Sequence, residues 1–199
     1  MNLTDKLMPI QLLEQWLKEE KDKGAPNPQQ AVLSTVTKEG IPRSRVVAIR
    51  EITPPGILFF TQKGTKKVTE IAENPRVSLT FWFELMQREV ILEALIEALS
   101  DGENKAYWLT YPRVAQLRFL AYAPTSGQPI DSKQILEDKK TAIEQECKDQ
   151  ELPYTPLYCG YRIIPTKVTF YQYRTDELSD VYQYSVQENN QWQKQVISP

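Results

Sequence analysis

The chain's reactive residues are few and unevenly placed. Among 199 residues there is no histidine, which removes Ser-His-Asp and Cys-His relays and the commonest metal ligand. The two cysteines, Cys147 and Cys159, have no paired spacing. A disulfide framework and a zinc site are therefore not expected, and a reducing cytoplasm is the expected compartment. Acid, base or redox work is left to Lys, Arg, Tyr, a carboxylate or the atoms of a cofactor. That set is densest in RVVAIREITPPGILFFTQKGTKK, from Arg45 to Lys67. Arg45 and Arg50 stand on one side, Lys66 and Lys67 at the far end, and Thr61 and Thr65 add hydroxyls. Charged donors, hydroxyls and the unpaired N–H groups of a helix start suit a small anion such as a phosphate. The competing reading is a solvated charged turn, as charge runs usually are; for Arg50 it is a strand salt bridge.

Whole-chain charge gives no other partner. Lys and Arg number 24 against 26 Asp and Glu, a net charge of −2, so no basic field recruits nucleic acid or an anionic membrane. No run is long and apolar enough to span a bilayer, and the first residues lack the apolar stretch of a signal peptide. The length suits one well-buried core.

These residues must be positioned by short elements. Leu12, Leu13, Trp16 and Leu17 form the apolar stripe of a helix over 9–23. Strands are expected over 31–36, 43–51 and 57–61, with turns at Lys38-Glu39-Gly40, Pro54-Pro55-Gly56 and Gln62-Lys63-Gly64. Thr65 is placed to cap a helix over 66–73, which Asn74-Pro75 stops. Residues 76–84 and 89–99 read as strands, the second with Glu89, Glu93 and Glu97 alternating toward water. Ser100 or Asp101 caps a helix to 110, Pro112 opens another, and Asp131 caps a polar helix to about 148. Phe81, Trp82 and Phe83 are expected to be buried or at a subunit contact. Four final strands follow, over 157–163, 167–173, 181–186 and 192–197, the last two turning at Asn189-Asn190. Early and late strands with helices between them indicate a single α+β domain over 1–199, an antiparallel sheet or barrel with flanking helices.

The order of elements and several segments together resemble the pyridoxamine 5′-phosphate oxidases, flavin-dependent split-barrel proteins. The matching pieces are RSRVVAIR, ILFFTQKGTKKVTEI, ENPRVSLTFWFELMQREV, YWLTYPR, GYRIIPTKVTFYQ and WQKQVISP. The resemblance implies an antiparallel split β-barrel, a homodimer, and FMN at the subunit interface. It places Arg45, Val46, Val47, Arg50, Phe60, Thr61, Thr65, Lys66, Lys67, Glu89, Thr125 and Tyr171 at the cofactor. Arg50, Tyr107 and Tyr111 fall at a small-molecule substrate.

The resemblance is uneven. At the phosphate end Arg45 and Lys67 match family cations, and Lys66 stands where Arg is usual, which keeps the charge and loses the bidentate fork. At the ring end Glu89 replaces a Gln, Tyr171 a Trp and Val181 an Arg. Around the substrate Arg50 replaces a Lys, Tyr111 an Arg and Ala115 a Ser, and an Arg-x-His motif becomes Glu177 and Ser179. A carboxylate where a cation is expected works against a substrate phosphate. Three readings stay open: an FMN-dependent oxidoreductase with another substrate, a non-catalytic binder of flavin or a phosphorylated ligand, and retained pyridoxamine phosphate oxidation.

Overall fold

The computed structural model describes residues 8–54, 56–148 and 150–199. The helix α1 (Pro9–Asp22) buries Leu12, Leu13, Trp16 and Leu17, as its stripe requires. Strands β1 (Gln30–Val36) and β2 (Pro42–Thr53) form a hairpin, and β2 pairs onward with β3 (Gly56–Gln62). In the expected turn between β2 and β3, Pro55 lies outside the described residues. Next come α2 (Lys66–Glu73), β4 (Arg76–Phe83), β5 (Arg88–Ala98), α3 (Asp101–Leu109), α4 (Arg113–Tyr122) and α5 (Gln134–Glu146). The chain closes with β6 (Tyr158–Gln172), β7 (Asp180–Val186) and β8 (Trp192–Val196).

The strands run β3-β2-β1-β4-β5-β6-β7-β8, every pair antiparallel, and β3 also pairs with β6. That last pairing closes a six-stranded barrel and leaves β7 and β8 as an extension from the far half of β6. Alternation fills the barrel: Val77, Leu79, Phe81 and Phe83 from β4 meet Val90, Leu92, Ala94 and Ile96 from β5. Burying each large apolar side chain stabilises the fold by roughly 1.5–3 kcal/mol. The helix α1 plugs one end, with Trp16 edge-on to Phe170 at 5.0 Å between ring centroids.

Two expectations need correction. The segments 157–163 and 167–173 are one continuous strand, β6. A bulge shifts its register against β5 between Glu93 and Ala94, so the buried positions change phase from Tyr161 and Ile163 to Val168 and Phe170. A phase change beside Pro165 reads in sequence as a break. Asp131 does not cap α5: Lys133 is the N-cap, its backbone is already helical (φ −62°, ψ −27°), and no side chain caps the helix. Phe81 and Phe83 are buried, and Trp82, outward on the barrel, is 46% exposed in the single chain, which accords with the subunit-contact alternative. Ser100 is the cap of α3, in a reciprocal box with Glu103.

Candidate functional site

The turn Gln62 to Thr65 carries the chain from β3 into α2. Gly64 adopts φ +85°, a conformation that strongly favours glycine. Thr65 occupies the N-cap position, but its hydroxyl donates to the Gln62 carbonyl at 2.9 Å and caps no helix amide. The expected side-chain cap is therefore absent, because the tight turn places a carbonyl closer than the N3 amide. Gln62 Nε2 donates to the Pro124 carbonyl at 2.6 Å, which pins the α4–α5 loop over this turn.

The first turn of α2 has no acidic residue and instead begins Lys66-Lys67. Cations at the positive end of a helix are opposed by its dipole, by about 0.3–1 kcal/mol each. Lys67 turns back, donating to Thr61 Oγ1 at 3.0 Å and Thr65 Oγ1 at 3.4 Å. Burial, then the nearby Arg45 charge, push the Lys67 ammonium below its ordinary value. Arg45 enters from β2. Its Nη2 donates to Glu70 Oε2 at 2.9 Å and its Nη1 to the Thr35 hydroxyl. Arg43, two positions back on the same face, donates to Glu70 Oε1 at 2.9 Å. Glu70, 3% exposed, is thus a buried counter-ion shared by two arginines and Thr35. Burial opposes its ionisation, but the bonds from Thr35, Arg45 and Arg43 outweigh that and hold its carboxyl below the ordinary value.

Arg43, Arg45, Thr65, Lys66 and Lys67 line one cleft of about 400 Å³ with Ser126 and Gly127 of the α4–α5 loop. Four cations against one carboxylate leave it electropositive. Thr125 is adjacent, its hydroxyl donating to the Tyr122 carbonyl at 3.1 Å. Val46 points outward and is exposed, whereas Val47 faces the barrel core; only its backbone is left to meet a ligand. Phe60 stacks on Tyr158 at 4.9 Å and leans on Tyr107 at 5.0 Å.

Farther along β2 a second group forms. A bulge between Ile49 and Glu51 breaks the alternation, and both Arg50 and Glu51 reach α3. Arg50 donates to the Thr110 carbonyl at 2.9 Å and lies 5.6 Å from the centre of the Tyr111 ring. Tyr107 donates its hydroxyl to Glu51 Oε2 at 2.8 Å. Burial and then Glu51 hold the Tyr107 phenol above its ordinary value. Arg50, Tyr107 and Tyr111 are therefore neighbours, as expected. Glu89 and Tyr171 are direct cross-strand partners on β5 and β6, with Val181 opposite Tyr171 on β7. They are not beside the cleft. Phe60 pairs with Gly160, and eleven positions of β6 separate Gly160 from Tyr171, a contour of roughly 35 Å at about 3.3 Å per residue.

Sequence reasoning missed Glu70, Arg43, Glu51, Ser126 and Gly127. Arg43 had a signal, since positions i and i+2 of a strand share a face. Glu70, three residues after Lys67 on a helix, had a weaker one. Glu51 depends on a bulge that leaves no mark in composition. Among the described residues no cluster of acidic or thiol side chains suits a metal, and no helix is long and apolar enough to cross a membrane.

The closed antiparallel barrel with strands extending from β6 and an electropositive cleft at a strand–helix turn defines the class: an anion-receptive split barrel. The family model described as Pyridoxamine 5'-phosphate oxidase matches residues 17–147. That of the Pyridoxine 5'-phosphate oxidase C-terminal dimerisation region matches residues 158–199, the span of β6 to β8. A pyridoxine/pyridoxamine 5'-phosphate oxidase of Alteromonas mediterranea is 34% identical over 191 residues, covering 96% of this chain and 89% of its own. One from Microcystis aeruginosa is 32% identical with 96% and 88% coverage. The chain belongs to the pyridoxamine 5'-phosphate oxidase family. Among solved structures, PhzG of Burkholderia lata 383, in complex with tetrahydrophenazine-1-carboxylic acid, superposes with a TM-score of 0.84 at 24% identity, covering 96% of this chain and 92% of that one. A pyridoxamine 5'-phosphate oxidase-related, FMN binding protein of Nostoc punctiforme gives 0.79 at 18% identity, covering 98% and 100%. Both share the fold.

Proposed function

We propose that this protein is an FMN-dependent oxidoreductase that works as a homodimer on a small organic substrate. The observation that carries the reading is the cleft at the start of α2. Two lysines stand where the helix dipole disfavours them, one with a depressed affinity for its proton, beside two arginines held by a buried carboxylate. A phosphate dianion relieves all of these at once. Arg45, Lys66 and Lys67 bind it as cations, Thr61 and Thr65 as hydroxyls, and the Ser126-Gly127 loop closes over it. FMN, when bound, supplies the two-electron acceptance that this histidine-free chain lacks.

A second copy completes the site. Glu89 and Tyr171 are cross-strand partners on β5 and β6 and do not line the cleft, and on this reading the ring meets these residues from the partner. The matched C-terminal dimerisation region supports that assembly. Val46 and the backbone at Val47 form the floor toward the ring, and Phe60, Tyr107 and Tyr111 keep water from the reacting face. Two unpaired thiols, Cys147 and Cys159, suit the cytoplasm.

The purified protein is expected to be yellow, to elute as a dimer and to quench the fluorescence of added FMN. The double variant K66A/K67A is expected to be colourless and folded. Colourless wild-type protein that leaves FMN fluorescence unchanged refutes the reading. Glu89 beside Tyr171, with no cation at Val181, favours a second reading, a flavin binder without turnover. Bound FMN that no panel of amines, reduced nicotinamides or dihydroaromatic acids reduces would select it.

A further inference from the structure

The aromatic cluster behind the cleft ends in a tyrosine–carboxylate pair at the surface. Phe60, next to Thr61 of the cleft, stacks on Tyr158 at 4.9 Å between ring centroids. Tyr158 meets Trp108 edge-on at 5.1 Å, and Trp108 meets Tyr154 edge-on at 6.4 Å. All three spacings are those of rings in direct contact. Trp108 is fully buried, Tyr154 is half-buried and Asp101 is exposed. The rings thus run from the cleft to solvent through one packed cluster.

The members differ in where a proton can go. Tyr158 is 1% exposed, and its hydroxyl has no partner among the described residues. Trp108 Nε1 donates to the Leu152 carbonyl at 3.2 Å, a group too weakly basic to take the proton outright. Tyr154 donates its hydroxyl to Asp101 Oδ1 at 2.8 Å, a bond to a charged base. Burial and then this bond push the Tyr154 phenol up to about 12, so its proton stays in place while the ring keeps its electrons. A phenol that loses an electron becomes a strong acid. Among Tyr158, Trp108 and Tyr154, only Tyr154 can therefore give up an electron and hand its proton to a neighbour. Tyr107, the cluster's other phenol bonded to a carboxylate, sits at the Phe60 end.

We propose that Trp108 and Tyr154 relay one-electron oxidising charge away from the flavin site to the surface, with Asp101 taking the phenolic proton. Flavins carry one-electron and dioxygen chemistry, so the oxidant is a dioxygen-derived radical in the dark and photoexcited FMN under light. It takes one electron from Trp108 across the Phe60 and Tyr158 rings. Trp108 recovers that electron from Tyr154. The Tyr154 O–H bond breaks, its proton goes to the Asp101 carboxylate, and a neutral tyrosyl remains. A soluble one-electron reductant such as ascorbate then returns the electron, and Asp101 returns the proton. The inference rests on the flavin reading for the oxidant only; Trp108, Tyr154 and Asp101 are placed by the fold.

The test is flash photolysis of FMN-loaded dimer, followed by transient absorption, with electron paramagnetic resonance to assign the radical. The wild type is expected to form a tyrosyl radical, more slowly in D2O than in H2O, and ascorbate is expected to shorten its life. Tyr154→Phe is expected to lose the tyrosyl signal and leave a tryptophan radical in its place. Asp101→Asn is expected to lose most of the tyrosyl yield. Both substitutions lie at the solvent edge of the cluster, so neither depends on the core tolerating a change at Trp108. No tyrosyl radical in the wild type, an equal signal in Y154F, or an unchanged yield in D101N overturns the proposal. Protein that takes up no FMN sinks the flavin reading instead. Laser photoionisation of the tryptophans in flavin-free wild type and Y154F then still decides whether the electron passes from Tyr154 to Trp108.

Discussion

Replacing Glu70 tests whether the cleft is built on a buried counter-ion. Its side chain is 4% exposed, against 22% for Arg45 and 43% for Arg43. Breaking a fully buried ion pair costs about 3–5 kcal/mol, because a charge is stranded. Here both arginines keep partial access to water, which recovers some of that loss, so E70A is expected to cost about 2–3 kcal/mol. For a chain of this size that is a fall in melting temperature of about 4–12 °C. Comparison must be at one protein concentration, since association contributes to stability. The pH dependence has a definite sign. Thr35, Arg45 and Arg43 hold the folded carboxyl below its ordinary value. Its contribution is therefore complete above the unfolded value of about 4.3 and is lost as pH falls through the lower folded value. Wild type and E70Q should differ most near pH 7 and converge in acid. Urea unfolding at pH 7 and between pH 5 and 3 measures both. Equal midpoints for wild type and E70A at pH 7 refute the counter-ion argument.

Lys66→Ala should leave the ligand-free protein as stable as wild type or more so by about 0.3–1 kcal/mol, through relief of the helix dipole, while weakening FMN and flattening its dependence on ionic strength; thermal melts with and without FMN separate the two effects. Burial and Arg45 lower the proton affinity of Lys67, so FMN affinity should decline with rising pH before the ordinary lysine range is reached, and K67R should postpone the decline; fluorescence titrations from pH 7 to about 10.5 follow it. Gly160→Ala places a Cβ 2.4 Å from Phe60 Cε1 and 2.7 Å from Leu99 Cδ1. Overpacking of that kind costs about 1–3 kcal/mol, measurable as a lower urea midpoint, and it moves the ring that stacks on Tyr158.

Much of this architecture is written in short-range patterns. The stripe of α1, the alternation of β5 and a cap at the start of α3 each follow from residues a few positions apart, and each is found. The cleft was legible for the same reason: Lys66, Lys67 and Thr65 are neighbours, and Arg45 lies one hairpin strand away. What was not legible depends on register. The bulge in β6 turns one strand into two apparent ones, and the bulge in β2 swings Glu51 to Tyr107. Glu70 became visible only once β1, β2 and α2 were packed together, because its partners Thr35, Arg43 and Arg45 are 25 to 35 residues away.

The β2 bulge also divides the proposed phosphate-binding residues from the proposed substrate-facing ones. Arg45 sits before the β2 bulge, in the regular ladder with β1, where Leu33 is its register partner. Its position is fixed by the barrel and by Glu70, and any change there disturbs a buried ion pair as well as the ligand. Arg50 and Glu51 sit at the bulge, where ladder constraints lapse, and both lean on the exposed end of α3 through Thr110 and Tyr107. Substitutions there alter charge and shape without breaking a core interaction. On the proposed reading, the phosphate-binding residues are bound into the core while the substrate-facing ones are borne on a bulge, so E70A should lower stability whereas substitutions at Arg50 or Glu51 should leave the urea midpoint nearly unchanged.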